Sequence, residues 1–191
     1  MTRTNLTLSP LLALAAVWGP ALHAQERTVS WAVDSGALPC TSVRVDPTLD
    51  FIGRVEGPVM NDRARAERFL FGEVVDGRLV RAVVVHFEGF VDADGTFTYP
   101  RFRMDTLAGD EYLHQVWPAP DLQMFATPPF DSLLAANDIA IESRWLMNRW
   151  ARVVDEAGRN ELLLYYLEPE SALPGGLATL SEDWQAQGIA G

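Results

Sequence analysis

The run at residues 81–90, Arg-Ala-Val-Val-Val-His-Phe-Glu-Gly-Phe, constrains this chain more than any other stretch. Its consecutive valines and its phenylalanines favour extended backbone, because branched and aromatic side chains lose rotamer freedom in a helix and pack well on a pleated surface. Just upstream, Asp76-Gly77 stands between Val74-Val75 and Leu79-Val80. An Asp-Gly pair flanked by apolar residues predicts a type I′ hairpin closed by Val75 and Arg78, since both central residues of that turn need positive φ. Asp92-Ala-Asp-Gly95 and Leu107-Ala-Gly-Asp110 then separate the run from two further segments of strand character, 97–104 and 111–117. The simplest reading is an antiparallel meander of four strands over residues 67–117.

The expected fold is therefore mainly β: an antiparallel meander forming a curved sheet or partly closed barrel, with one or two short helices packed on it. Residues 29–33 and 41–45 alternate weakly, like short strands. Asp62 is placed to cap a short helix over 63–68, where Ala, Glu and Arg all favour helix, and Asp131 to open another over 131–136. Pro118, Pro120, Pro128 and Pro129 predict an irregular crossing between the meander and that helix. Residues 139–154 match neither period cleanly, so a helix and a long bulged strand both stay open. Residues 151–154 and 161–167 read as a hairpin about the turn 155–160, and Ser181 opens a possible helix in the tail.

Residues 1–24 read as a signal peptide, with Arg3, an apolar stretch from Leu11 to Trp18 and the small residue Ala24 before Gln25. The apolar stretch falls far short of the ~20 residues that span a bilayer. The expectation is one exported β-rich domain over residues 25–191, periplasmic or secreted, with no stable membrane span. The chain has no lysine: all 15 basic residues are arginine, against 26 acidic ones. Schiff-base, P-loop and Ser-Lys chemistry are thereby excluded. Without Arg3 the formal charge becomes 14 minus 26, or −12, which disfavours nucleic acid as a partner. Cys40 is the only cysteine, so it forms no intrachain disulfide; it reads as a small buried hydrophobe sooner than a reactive thiol.

A period of 2 places Leu70, Val83, Val85, Phe87 and Leu113 on one face of the meander and a mixed set on the other. The mixed face carries the candidate ligand-binding residues His86, Glu88, Tyr99, Arg101, Arg103, Tyr112 and His114. Counting from the turn centres sets His86 opposite Arg101 and Arg101 opposite His114, a single row across the sheet. Arginine forks suit a carboxylate or phosphate, the tyrosines add hydroxyls, and histidine exchanges a proton near neutral pH. No metal or cofactor is expected, because histidines one strand apart have backbones ~9.5 Å from each other at the usual strand spacing, and Arg101 between them repels a cation. The sequence lacks Gly-x-Ser-x-Gly, His-Glu-x-x-His, Cys-x-x-Cys and Gly-x-Gly-x-x-Gly.

Three functions fit these residues. The first is an exported, non-enzymatic protein that binds a small amphipathic or anionic ligand on the mixed face. The second is a small acid–base enzyme with His86 as base, Glu88 as its orienter and Arg101 as the anion-stabilising group. The third is a structural or partner-binding envelope protein, which would expose an apolar patch around Trp145 and Trp150 to a protein partner.

Overall fold

The structure, a computed structural model, describes residues 32–34, 41–99, 103–119 and 128–174. The proposed signal peptide, Cys40, Arg101 and the helix expected from Ser181 lie outside the described residues. Strands β1 (Ala32–Asp34) and β2 (Ser42–Arg44) pair antiparallel in a two-stranded ladder. Seven further strands form one sheet: β3 (Asp50–Val59), β4 (Ala64–Val75), β5 (Arg78–Phe90), β6 (Met104–Leu107), β7 (Asp110–Ala119), β8 (Trp145–Val153) and β9 (Asn160–Pro169). Their order is β3-β4-β5-β9-β8-β7-β6, every pair is antiparallel, and among the described residues β3 and β6 are the edges. Among the described residues one helix, α1 (Pro128–Ala136), and a 3-10 turn at Glu170–Ala172 accompany the strands, a mainly β architecture of the expected class.

The connectivity differs from a four-strand meander. Strand β5 pairs with β9 through eight residues, Ala82 to Gly89 against Asn160 to Leu167, instead of with the segment that follows it. That following segment contributes only β6, at the far edge. The physical reason is visible in the residues: a strand over 97–104 would contain Pro100, which has no N–H for a central ladder, whereas 161–167 is Glu-Leu-Leu-Leu-Tyr-Tyr-Leu. The sheet is thus two meanders, β3-β4-β5 and β6-β7-β8-β9, joined where β5 meets β9.

Two local expectations are corrected, and one left open is decided. Residues 64–75 form strand β4, so Asp62 caps no helix; Met60, Asn61 and Asp62 instead take positive φ in the β3–β4 turn. Pairing on both sides outweighs a weak helical preference there. Residues 145–153 are strand, which settles the ambiguous stretch, and the β8–β9 turn is organised by Asp155, whose carboxylate accepts from the backbone N–H of Arg159 at 2.8 Å. Pro118 and Ala119 belong to β7, where β6 no longer covers the outer edge and a missing N–H breaks no ladder.

The β4–β5 hairpin turns at Asp76 (φ 50°) and Gly77 (φ 74°), with Val75 opposite Arg78 as the Asp-Gly pair requires. Beyond it the register slips: Val74 faces Leu79 but Glu73 faces Arg81, leaving Val80 as an extra residue. This one-residue bulge reverses the facing of everything downstream relative to β4. Leu70 now lies opposite Val84, not Val83, and Arg68 lies opposite His86. The two faces read from the sequence are therefore mixed together in the structure.

Both faces are covered. On one, α1 brings Phe130 and Leu134 onto Leu70, Val84, Trp145, Met147 and Leu167, all buried. The helix lies close to β3, with Leu133 over Gly53 where a Cβ would collide. Its C-terminal end is tied to the β4–β5 turn, since the Leu79 N–H donates to the Ala140 carbonyl at 2.9 Å and the Ala140 N–H to Gly77 at 2.8 Å. On the opposite face, Val33, Val45 and Leu49 cover Phe71, Val85, Phe87, Tyr112 and Leu162. Truncating one such buried aromatic costs about 3–5 kcal/mol.

Deleting Val80 removes the bulge and forces either a register slip or exposure of one core face. The variant is expected to lose cooperative urea unfolding, followed by circular dichroism; a retained sharp transition with an unchanged midpoint would show that the bulge is dispensable.

Candidate functional site

Helix α1 covers only part of its face of the sheet. Beyond it the alternation that buries Leu70, Val84 and Leu167 carries polar groups inward: Arg68 on β4, His86 and Glu88 on β5, Glu161 and Tyr165 on β9, Arg149 on β8 and Gln115 on β7. In register, Arg68 is opposite His86, Glu88 is opposite Glu161, and Arg149 stands between Tyr165 and Gln115. His86, Glu88 and Glu161 are 5%, 7% and 4% exposed.

The contacts join part of this group. Tyr99 OH donates to Glu161 Oε2, Arg149 Nη1 donates to Gln115 Oε1 at 2.9 Å, and Arg149 Nη2 reaches Tyr99 OH at 3.4 Å. The His86 and Tyr165 rings stack with centroids 6.2 Å apart. His86 Nε2 lies 3.1 Å from Glu88 Oε2, while Nδ1 is buried without a hydrogen-bond partner. Nε of Arg68 and Nε of Arg149 are buried and also without one. Among the described residues neither guanidinium makes an ion pair.

Burial dominates the electrostatics. Desolvation, reinforced by the facing Glu88 carboxylate, pushes the Glu161 carboxyl up to about 8, so it is mostly protonated at neutral pH. Desolvation also holds His86 below its ordinary value, against the pull of Glu88 and with the push of Arg68 and Arg149, so the ring is neutral. Tyr165 is raised, again chiefly by burial.

The row expected from the sequence does not form. His86 faces Arg68 and Leu163, whereas His114 faces Trp150 and lies on the opposite side of the sheet, three strand positions away. There it stacks on Trp150 at 4.6 Å and approaches Asn148 and Asp105, both at 3.4 Å. Tyr112 shares that side, packed in the β1–β2 core. Arg103 is an exposed residue at positive φ just before β6, and its carbonyl accepts from the His114 N–H. Of the seven candidates, His86, Glu88 and Tyr99 come together; Arg101 lies outside the described residues. Trp145 is fully buried and Trp150 is stacked, so they form no exposed apolar patch.

Sequence reasoning missed Arg68, Arg149, Glu161 and Tyr165. Arg68 was hidden inside an expected helix and Arg149 inside the undecided stretch. The signal for Arg68 was the alternation Ala64, Ala66, Arg68, Leu70, and for Glu161 a lone acid heading an apolar strand. Among the described residues no cluster of His, Cys, Asp and Glu is arranged to hold a metal ion.

Next to this group a cavity of about 730 Å³ opens between residues 97–99 and strands β6, β7 and β8. Leu113, Ala151, Val153 and Met104 give it an apolar floor, and Tyr99 links its wall to Glu161. Asp110, Glu111 and Arg152 contribute charge, with Arg152 paired to Asp110.

Because the folded-state value of Glu161 lies above its ordinary 4.5, its contribution to stability is fully present below that value and is lost as pH rises toward about 8. His86, held low, acts in the reverse sense and loses its contribution as pH falls below 6.5. Glu161→Gln should therefore raise the urea midpoint at a pH of about 8.5 far more than at about 5. Equal shifts at both pH values would show that Glu161 does not titrate in this range.

No family model, curated protein or solved structure matches this chain.

Proposed function

We propose that this protein is an exported, non-enzymatic binder of a small amphipathic ligand, held in the cavity under residues 97–99. The observation that carries the reading is the cavity itself. Its volume of about 730 Å³ lies within the ~300–1,000 Å³ common for small-molecule sites. Its lining is mixed, with Leu113, Ala151, Val153 and Met104 on the apolar side and Thr98, Asp110, Glu111 and Arg152 on the polar side, which suits an amphipathic ligand over a wholly apolar one. A ligand with an apolar body would lie on Leu113, Ala151 and Val153 and direct its polar end toward Tyr99. The leader-like residues 1–24 support export to the periplasm or beyond.

The acid–base enzyme acting through His86, Glu88 and Arg101 draws support from the 3.1 Å approach of His86 to Glu88. Binding is preferred because neither His86 nor Glu88 lines the cavity.

The test uses N-phenyl-1-naphthylamine, an uncharged fluorophore that brightens in apolar surroundings. The mature protein should bind it saturably near one equivalent. Val153→Trp, which fills the cavity floor, should weaken binding by about tenfold or more while leaving the far-ultraviolet circular dichroism unchanged. Absence of saturable binding, or equal binding by the variant, would sink the proposal.

A further inference from the structure

A second recess lies on the same face of the sheet, at the edge formed by β3 and β4. It measures about 300 Å³ and is lined by Val55, Gly57, Pro58, Val59, Ala66 and Arg68, with Glu56 beside them. In register, Val55 faces Arg68 and Gly57 faces Ala66, so small residues open the space and Arg68 closes its inner end. At Gly57 an added Cβ would meet no atom within 4 Å, which confirms open volume over the strand.

Charge identifies the occupant. Arg68 makes no ion pair among the described residues, and its Nε is buried without a hydrogen-bond partner. Beside it, His86 is 5% exposed, with Nε2 turned to Glu88 and Nδ1 without a hydrogen-bond partner. Among the described residues the half-buried Arg149 guanidinium meets the neutral Gln115 and Tyr99. Glu88 is the nearby carboxylate, and it contacts His86, not Arg68. Arg68 is half-buried, and its buried Nε–H is costly to leave without an acceptor; a guanidinium fork matches a carboxylate.

We propose that this recess is a second ligand site, distinct from the larger cavity, for a small aliphatic monocarboxylate whose anionic end meets Arg68 and whose chain lies along Val55, Val59 and Ala66 over Gly57. Away from Arg68 the lining is apolar, with Val55, Val59 and Ala66, and suits an uncharged chain end over a second carboxylate.

Octanoate, octanol and octylamine, titrated calorimetrically into the mature protein at neutral pH, test the site. Octanoate should bind at least about tenfold more tightly than either of the others. Arg68→Met, an apolar replacement of similar length, should abolish that preference. Gly57→Leu fills the recess without touching Arg68 and should remove octanoate binding, while Val153→Trp should leave it intact. Octanol binding as tightly as octanoate, no octanoate binding, or a loss caused by Val153→Trp and not by Gly57→Leu would each overturn the proposal. Since Val153 lines the larger cavity and not this recess, failure here is distinguishable from failure of the function proposed above.

Discussion

Strand β5 is hydrogen-bonded on both sides, to β4 and to β9, and covered on both faces, so its facing propagates through the entire sheet. The extra residue Val80 sets that facing relative to β4. With it in place, Leu70 and Val84 join the α1 core and Phe71 and Val85 join the β1–β2 core. The same slip carries Arg68 to the side of His86. A sheet whose two faces are both buried tolerates no other register, because a shift by one residue exchanges its two cores.

The α1 core is apolar at one end and polar at the other, and the transition follows the reach of the helix. Helix α1 spans nine residues, and Phe130, Leu133 and Leu134 cover the end near Leu70 and Trp145. Further along the strands the interior is closed partly by Tyr99, whose hydroxyl meets Glu161. Burial without counter-charge then decides the state of the polar groups: Glu161 is held protonated and His86 neutral, while the guanidiniums keep their charge because arginine does not deprotonate in proteins. The two half-buried guanidiniums outnumber the buried Glu88 carboxylate beside them, a local excess of positive charge in a chain of formal charge −11. Such local inversion of the overall charge suits recognition of an anion, since the rest of the surface repels one.

Much of the fold was legible in the residues. Branched and aromatic runs marked β5 and β9, and Asp76-Gly77 marked its own turn to the residue, because a type I′ turn is a local demand on φ that few residue pairs meet. The candidate site was legible only in part. His86, Glu88 and Tyr99 were singled out and do come together, but His114 and Tyr112 went to the other side of the sheet, and Arg68, Arg149 and Glu161 were absent from the reading. A bulge is a nonlocal compromise between two strands, and no single residue near Val80 announces it. Helical preference in 63–68 likewise concealed a strand whose pairing on both edges outweighs propensity.

By itself the sequence determined what acts within a few residues: extended backbone in the valine-rich run, a tight turn at Asp76-Gly77, a short helix around Asp131, though it opens at Pro128 and not at Asp131, and the exclusion of lysine chemistry. Only the tertiary structure decided which strand lies beside β5, which face each side chain joins, and which ionisable groups lose their water. Those choices depend on partners far apart in the chain, Ala82 with Leu167 and Glu88 with Glu161 among them. Pairing energy and burial are set between segments rather than within them, so the same residues carry no local mark of the company they will keep.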